Sequence, residues 1–145
     1  MPWRMWKGQL AAESGLDPAA VSPVGAAGIA QMMPGTWDEV RQAMGWGLVS
    51  PHDVRYAIEG GAFYLARLIR FWSSPRPVED RWRLGQASYN AGAGNILKAQ
   101  RACGGPALYP DIMACLPSIT GRHSAETLAY VPRIWRLWAR FEAER

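Results

Sequence analysis

Residues 54–72 read VRYAIEGGAFYLARLIRFW, and this stretch sets the fold class. Apolar or small residues recur at Val54, Ala57, Ile58, Gly61, Ala62, Leu65, Leu68, Ile69 and Trp72. That is the period of a helix that buries one face. Asp53 stands just ahead of it, where a carboxylate can accept hydrogen bonds from the amides of the first turn. Ser73–Pro77 supplies the stop. The spacing predicts one long helix from Val54 to about Trp72.

Working back from it, Gly45, Gly47, Ser50 and Pro51 break the chain, and Thr36 is placed to cap a helix over Trp37–Met44. Residues 15–35 are rich in Gly, Pro, Ala and Ser, yet carry Val21, Ile29, Met32 and Met33, so they read as a packed loop rather than a linker. Trp3–Ala12 has the spacing of a short helix, stopped by Gly15 and Pro18, which leaves Glu13 at its C-terminal end. Working forward, helices are expected over Asp80–Ser88, Asn95–Ala102 and Tyr109–Leu116, with turns at Asn90–Gly94 and Gly104–Pro106. Ser124 opens the last helix, which turns a wide apolar face: Leu128, Val131, Ile134, Trp135, Leu137, Trp138 and Phe141. Thr127 stands where a capping box would have Glu or Gln, and Pro132 predicts a kink or break near Val131. No strand alternation and no internal repeat appears. The expectation is an all-α chain, a compact bundle of short helices around a long central one, forming a single domain over residues 1–145.

The 145 residues suit one core, and 49% hydrophobic against 19% charged residues argues against long disordered tails. No apolar run approaches the roughly 20 residues a membrane span needs, so no stable membrane insertion is expected. Met1–Gln9 holds two Trp, an Arg and a Lys with no apolar run after them, which predicts synthesis in the cytoplasm without a standard export signal if Met1 is the native start. The net charge of +4 would draw the chain to an acidic polymer. Cell-wall material and nucleic acid both qualify, but the basic residues are scattered. Arg133, Arg136 and Arg140 recur as a solvated helix face would, so nucleic acid is not the expected partner. The two cysteines, Cys103 and Cys115, lack the His cluster of a zinc site and leave two readings open: a disulfide, if the chain works outside the reducing cytosol, or two buried thiols. No metal or cofactor is expected.

Three stretches carry chemistry. The first runs from Glu13-Ser14-Gly15 through Ser22-Pro23 to Gly25-Ala26-Ala27-Gly28-Ile29-Ala30-Gln31-Met32-Met33-Pro34. The second is Ala87-Ser88-Tyr89-Asn90-Ala91-Gly92-Ala93-Gly94, and the third is Glu126-Thr127-Leu128-Ala129-Tyr130-Val131. A carboxyl group can deliver a proton to a leaving oxygen near neutral pH if apolar surroundings keep it protonated. Glu13, between Ala11-Ala12 and a loop with Met32 and Met33, is placed for that; an ordinary surface Glu near a helix end is the plain alternative. A hydrolase that uses two carboxylates would need a partner. Asp17, Asp38 and Asp53 are among the nearest in sequence, and Asp17 and Asp53 read better as turn and cap residues.

In this order the motifs resemble the lytic transglycosylases of the soluble (SLT) type, with their goose-type lysozyme-like fold. The resemblance covers about residues 5–135: an E-S opening, an S-P and G-x-x-G-x-x-Q block, an A-Y-N-A-G-like block with Ser88 ahead of the tyrosine, and an E-T-x-x-Y-V close. It implies a cleft beside the first helix and peptidoglycan glycan strands as substrate. It further implies that Glu13 cleaves the MurNAc–GlcNAc bond as acid and then base, with help from the substrate's N-acetyl group, to give a 1,6-anhydro product.

Ser22 would lie near the cleaved sugar or else shape the turn beside Pro23. Gln31 would bind a sugar amide and Met33 would line the cleft, while Met32 reads as core. Tyr89 and Asn90 match the second block, although Asn90 could instead shape the glycine turn. Tyr130 would lie near the catalytic Glu or pack in the core, and Glu126 reads as a helix anchor. Ala30 stands where Met is commoner in the family. Of the eight Trp, Trp37 and Trp46 are the candidate sugar platforms. A muramidase of the same fold and a non-catalytic wall-binding module are the alternatives. A monomeric bacteriophage endolysin or virion-associated lysin is the expected setting. It would act on the wall in the periplasm or from outside, with a holin opening the way.

Overall fold

The computed structural model describes residues 1–144, and its regular structure there is helical. In chain order the helices are α1 (Trp3–Ser14), α2 (Pro34–Ala43), α3 (Val54–Phe71), α4 (Val78–Ala91), α5 (Ala93–Ala102), α6 (Tyr109–Met113), α7 (Pro117–Thr120) and α8 (Ser124–Ala143). A 3₁₀ turn, Gly121–His123, leads into α8. The only β-type pairing among the described residues is two isolated bridges, Val21 with Ala27 and Ala27 with Met32. The all-α expectation holds, with two long helices, α3 and α8, where one was expected.

The chain packs as two compact units: Met1–Tyr64 with the residues from Ile134 onward, and Leu65–Arg133. In the first unit Met5, Leu10, Val40, Ala57 and Ile134 are among the buried side chains. Gly8 lets α1 approach the backbone of α8 at Ile134 and Trp138, where a Cβ would already lie 3.1 Å from the Ile134 carbonyl oxygen. Trp6 lies over Gly61 of α3, and Trp37 and Trp46 lie over Gly60. α1 ends at Gly15, whose φ of 65° is the left-handed geometry glycine adopts at little cost, and whose N–H donates to Ala11 O.

In the second unit Leu84, Ile96, Ile112, Leu116 and Val131 are buried. Trp72 Nε1 donates to Ser88 Oγ at 2.9 Å inside this core. The buried Asp80 accepts from Arg83 Nη1 at 3.0 Å and from the Tyr109 amide at 3.2 Å, joining α4 to α6. Cys103, just past α5, is disulfide-bonded to Cys115 between α6 and α7, which resolves the two readings of the cysteines.

Among the boundaries that differ from the sequence expectation, three have a clear physical cause. α2 starts at Pro34 rather than after Thr36, because proline at the first helical position has its φ preset and lacks only an N–H that would be unbonded anyway. α4 runs through Tyr89 and Asn90 to Ala91, so the expected turn shrinks to Gly92. α8 continues through Pro132 without a break. Proline there leaves the Leu128 carbonyl without its helical donor, but both residues are exposed and water can serve.

Candidate active site

Glu13 is the second-last residue of α1 and is half-buried. The helix end that carries it is pinned by its neighbour. Ser14 Oγ donates to Ile29 O at 2.8 Å and approaches Leu10 O at 3.3 Å, tying α1 to the glycine-rich loop.

Each conspicuous residue of that loop has a backbone task. Gly28 has φ 80°, its N–H donates to Ala20 O at 2.8 Å, and its α-carbon lies against the carbonyl of Pro51, where any Cβ would collide. Gln31 is left-handed at φ 48°, unusual for a residue with a side chain. Its own amide holds it there, with Nε2 donating to Gly28 O at 2.8 Å and Ala20 O at 3.1 Å. Ser22 Oγ accepts from the Ala26 amide at 3.0 Å, closing the turn after Pro23. Met32 is core at 3% exposure, whereas Met33 is exposed at 43% and precedes α2.

The three carboxylates weighed as partners of Glu13 all have local work. Asp17 accepts from the Ala19 amide at 2.9 Å. Asp38 pairs with Arg41 Nε at 2.8 Å. Asp53 Oδ1 accepts from the amides of Arg55 and Tyr56 at 3.1 and 3.4 Å, as an N-cap should.

The remaining site residues belong to the second unit. Tyr89 and Asn90 lie near the end of α4, both half-buried, and Tyr130 lies on α8 with 7% of its surface exposed. Asn90 does not shape a turn. Its Nδ2 donates to Glu126 Oε1 at 3.0 Å, and its Oδ1 accepts from Thr127 Oγ1 at 2.6 Å, so its amide fastens α4 to the start of α8.

Residues 3–108 match the family model of the transglycosylase SLT domain. The chain belongs to this family. It is 30% identical over 122 residues to the membrane-bound lytic murein transglycosylase F of Yersinia pestis (strain Pestoides F), a match covering 81% of this chain and 24% of that protein. The protein of the same name from Serratia proteamaculans (strain 568) is 29% identical over 132 residues, covering 88% of this chain and 26% of its own length. This SLT domain thus spans about a quarter of those curated relatives. The 70 kDa soluble lytic transglycosylase of Escherichia coli superposes with a TM-score of 0.75 at 26% identity, over 96% of this chain and 21% of that one. An inactive mutant of the lytic transglycosylase Slt from Pseudomonas aeruginosa gives 0.77 at 23% identity, over 99% of this chain and 22% of that one, a likeness of fold.

The G-x-x-G-x-x-Q block of this SLT domain thus acts as loop-building chemistry at Gly28 and Gln31. Trp37 is corrected as a sugar platform. It is 4% exposed, bonded through Nε1 to Val49 O at 2.9 Å, and packed near Trp46. Trp46 is half-buried, with its ring edge-on to Tyr56 at 4.9 Å. Thr127 was read from sequence only as an imperfect capping residue. Its bond to Asn90 spans 37 positions, and nothing in local spacing signals such a pair. A cavity of about 400 Å³ opens beside that pair, also lined by Asn95, Thr120 and His123. No sequence motif marks those last three.

No group of His, Cys, Asp and Glu among the described residues is suited to hold a metal ion. No helix there is long and apolar enough to cross a membrane.

Proposed function

We propose that residues 1–145 form one catalytic domain that cleaves the β-1,4 bond between MurNAc and GlcNAc in peptidoglycan and leaves a 1,6-anhydro-MurNAc end. One observation carries the reading: a half-buried Glu13 on a pinned helix end, in an SLT-family chain whose Asp17, Asp38 and Asp53 carboxylates are engaged in local bonds. Protonated Glu13 gives its proton to the glycosidic oxygen as the bond from C1 breaks. The substrate's N-acetyl oxygen covers C1 in the interval. Glu13, now a carboxylate, takes the proton of the 6-hydroxyl as that oxygen closes on C1, so the enzyme returns to its starting state and no water is added.

The loop supplies two further groups. Gln31 has its amide nitrogen committed to the loop, which leaves its carbonyl oxygen to accept an N–H from a sugar acetamido group. Ser22 accepts through its oxygen and keeps its own proton to donate to a sugar. Exposed Met33 would flank the strand, and Tyr89 and Tyr130 would bind substrate. Asn90 acts by positioning the start of α8.

The disulfide supports work outside the reducing cytosol. In a bacteriophage setting the domain would need a holin, and lysis of cells making the chain with and without one tests that setting. The chemistry itself is tested by mass spectrometry of muropeptides from purified peptidoglycan. Products lighter by one water than hydrolytic ones are expected. Reducing ends carrying that water would make the enzyme a muramidase, and intact walls that still retain the protein would make it a binding module.

A further inference from the structure

The cavity in the second unit sets one carboxylate beside several neutral hydrogen-bonding groups. Glu126 Oε1 accepts from Asn90 Nδ2, and the Glu126 carboxylate lines the cavity. Asn95 donates one Nδ2 hydrogen to Ala91 O at 2.8 Å, which leaves its carbonyl oxygen and its other N–H. Thr120 Oγ1 directs its proton to Leu116 O at 3.4 Å, leaving oxygen lone pairs. His123 also lines the cavity. Beside these acceptors the second amide hydrogens of Asn90 and Asn95 remain as donors, and the Glu126 carboxylate is the acidic group of the lining. Ile119 and Ala91 give the same cavity an apolar side. Its volume of about 400 Å³ suits a side chain or small ligand.

We infer that this cavity is a subsite for a primary ammonium group on an aliphatic stem, the amino group that a diamino acid contributes to the peptides of peptidoglycan. An ammonium brings three donors to meet three acceptors and a positive charge to meet Glu126, while its methylenes lie along Ile119 and Ala91. A sugar acetamido N–H also donates, but it has one proton and no charge, so it matches the lining less well. The inference rests on the proposed function in taking peptidoglycan as the substrate, and it makes the peptide stem part of what the domain recognises.

The test is an NMR titration of the full chain with three probes: an alanyl-γ-glutamyl-lysine tripeptide acetylated at its N-terminus, the same peptide also acetylated at Nε, and a chitin trisaccharide. Only the free-amine peptide should shift the amides around Asn95, Thr120 and Glu126. Glu126→Gln keeps an oxygen for Asn90 and removes the charge, and it should weaken that binding about fivefold, the upper end of what an exposed ion pair contributes. Equal binding of the Nε-acetylated peptide or the trisaccharide at those amides, unchanged affinity in the variant, or no binding at all would overturn the assignment. The probes contain no MurNAc–GlcNAc bond, so peptide binding without wall cleavage would count against the proposed function alone, and cleavage without peptide binding against the subsite alone.

Discussion

The loop after α1 and the meeting of α4 with the start of α8 both hold polar groups in fixed positions, by different means. In the loop the work is local. Gly28, Gln31 and Ser22 reach hydrogen-bond partners no more than 11 positions away, through left-handed backbone and amide bonds. In the second unit the fastening is remote, through Asn90 to Glu126 and Thr127 across 36 and 37 positions and through a disulfide. Local devices leave a spacing in the sequence, and remote ones leave isolated residues whose partners have no fixed offset.

The comparison breaks most sharply at Gly28. Gly28→Ala combines a left-handed φ with a collision against the Pro51 carbonyl, and should cost about 4 kcal/mol or prevent folding. Chemical denaturation reads the loss, and hydrogen exchange should find it first in the loop. Replacing Cys103 and Cys115 by Ser should cost about 3 kcal/mol, because the bridge closes a loop of 12 positions in the unfolded chain. Reduction of the wild type should lower its denaturation midpoint by a similar amount and leave the double variant unmoved.

Thr127→Val tests the remote fastening. The position is 2% exposed and the shape is kept, so losing the donor to Asn90 should cost about 1–2 kcal/mol by thermal melt. Ser14→Ala should cost only about 1 kcal/mol, yet lower wall-lytic activity by more than that loss of stability explains, since it frees the helix end that carries Glu13.

The smallest effect lies at high pH. Burial pushes the Tyr109 phenol up to about 12, with Arg83 lowering it and Asp80 raising it. The folded state therefore favours the protonated phenol. That contribution is fully present below the ordinary value of 10.0 and is lost as pH climbs towards 12. Tyr109→Phe should flatten that part of the stability profile, with tyrosinate absorbance showing one late-titrating group fewer.

The same contrast explains what the sequence made legible. The period of residues 54–72 and the stop at Gly15 follow from local rules, so α3 and α1 were readable to within two residues. Glu13's place at a helix end followed from the same stop. The turn expected from Asn90 onward starts later, because the glycines after Asn90 outweigh it locally while its bonds to α8 lie far off in sequence. Trp37 drew a sugar-platform reading from its place beside a loop, but its Nε1–H finds Val49 O inside the first unit. The cavity beside Glu126 was invisible because Asn95, Thr120 and His123 meet only after folding.

Glu13→Gln keeps the shape of the side chain and removes its ability to give and take a proton. Anhydro-muropeptide release from purified peptidoglycan should fall about 10²–10⁴-fold, the usual contribution of a positioned acid–base group, while the thermal melt matches the wild type. A folded variant that still released anhydro products at the wild-type rate would contradict the assignment of the chemistry to Glu13.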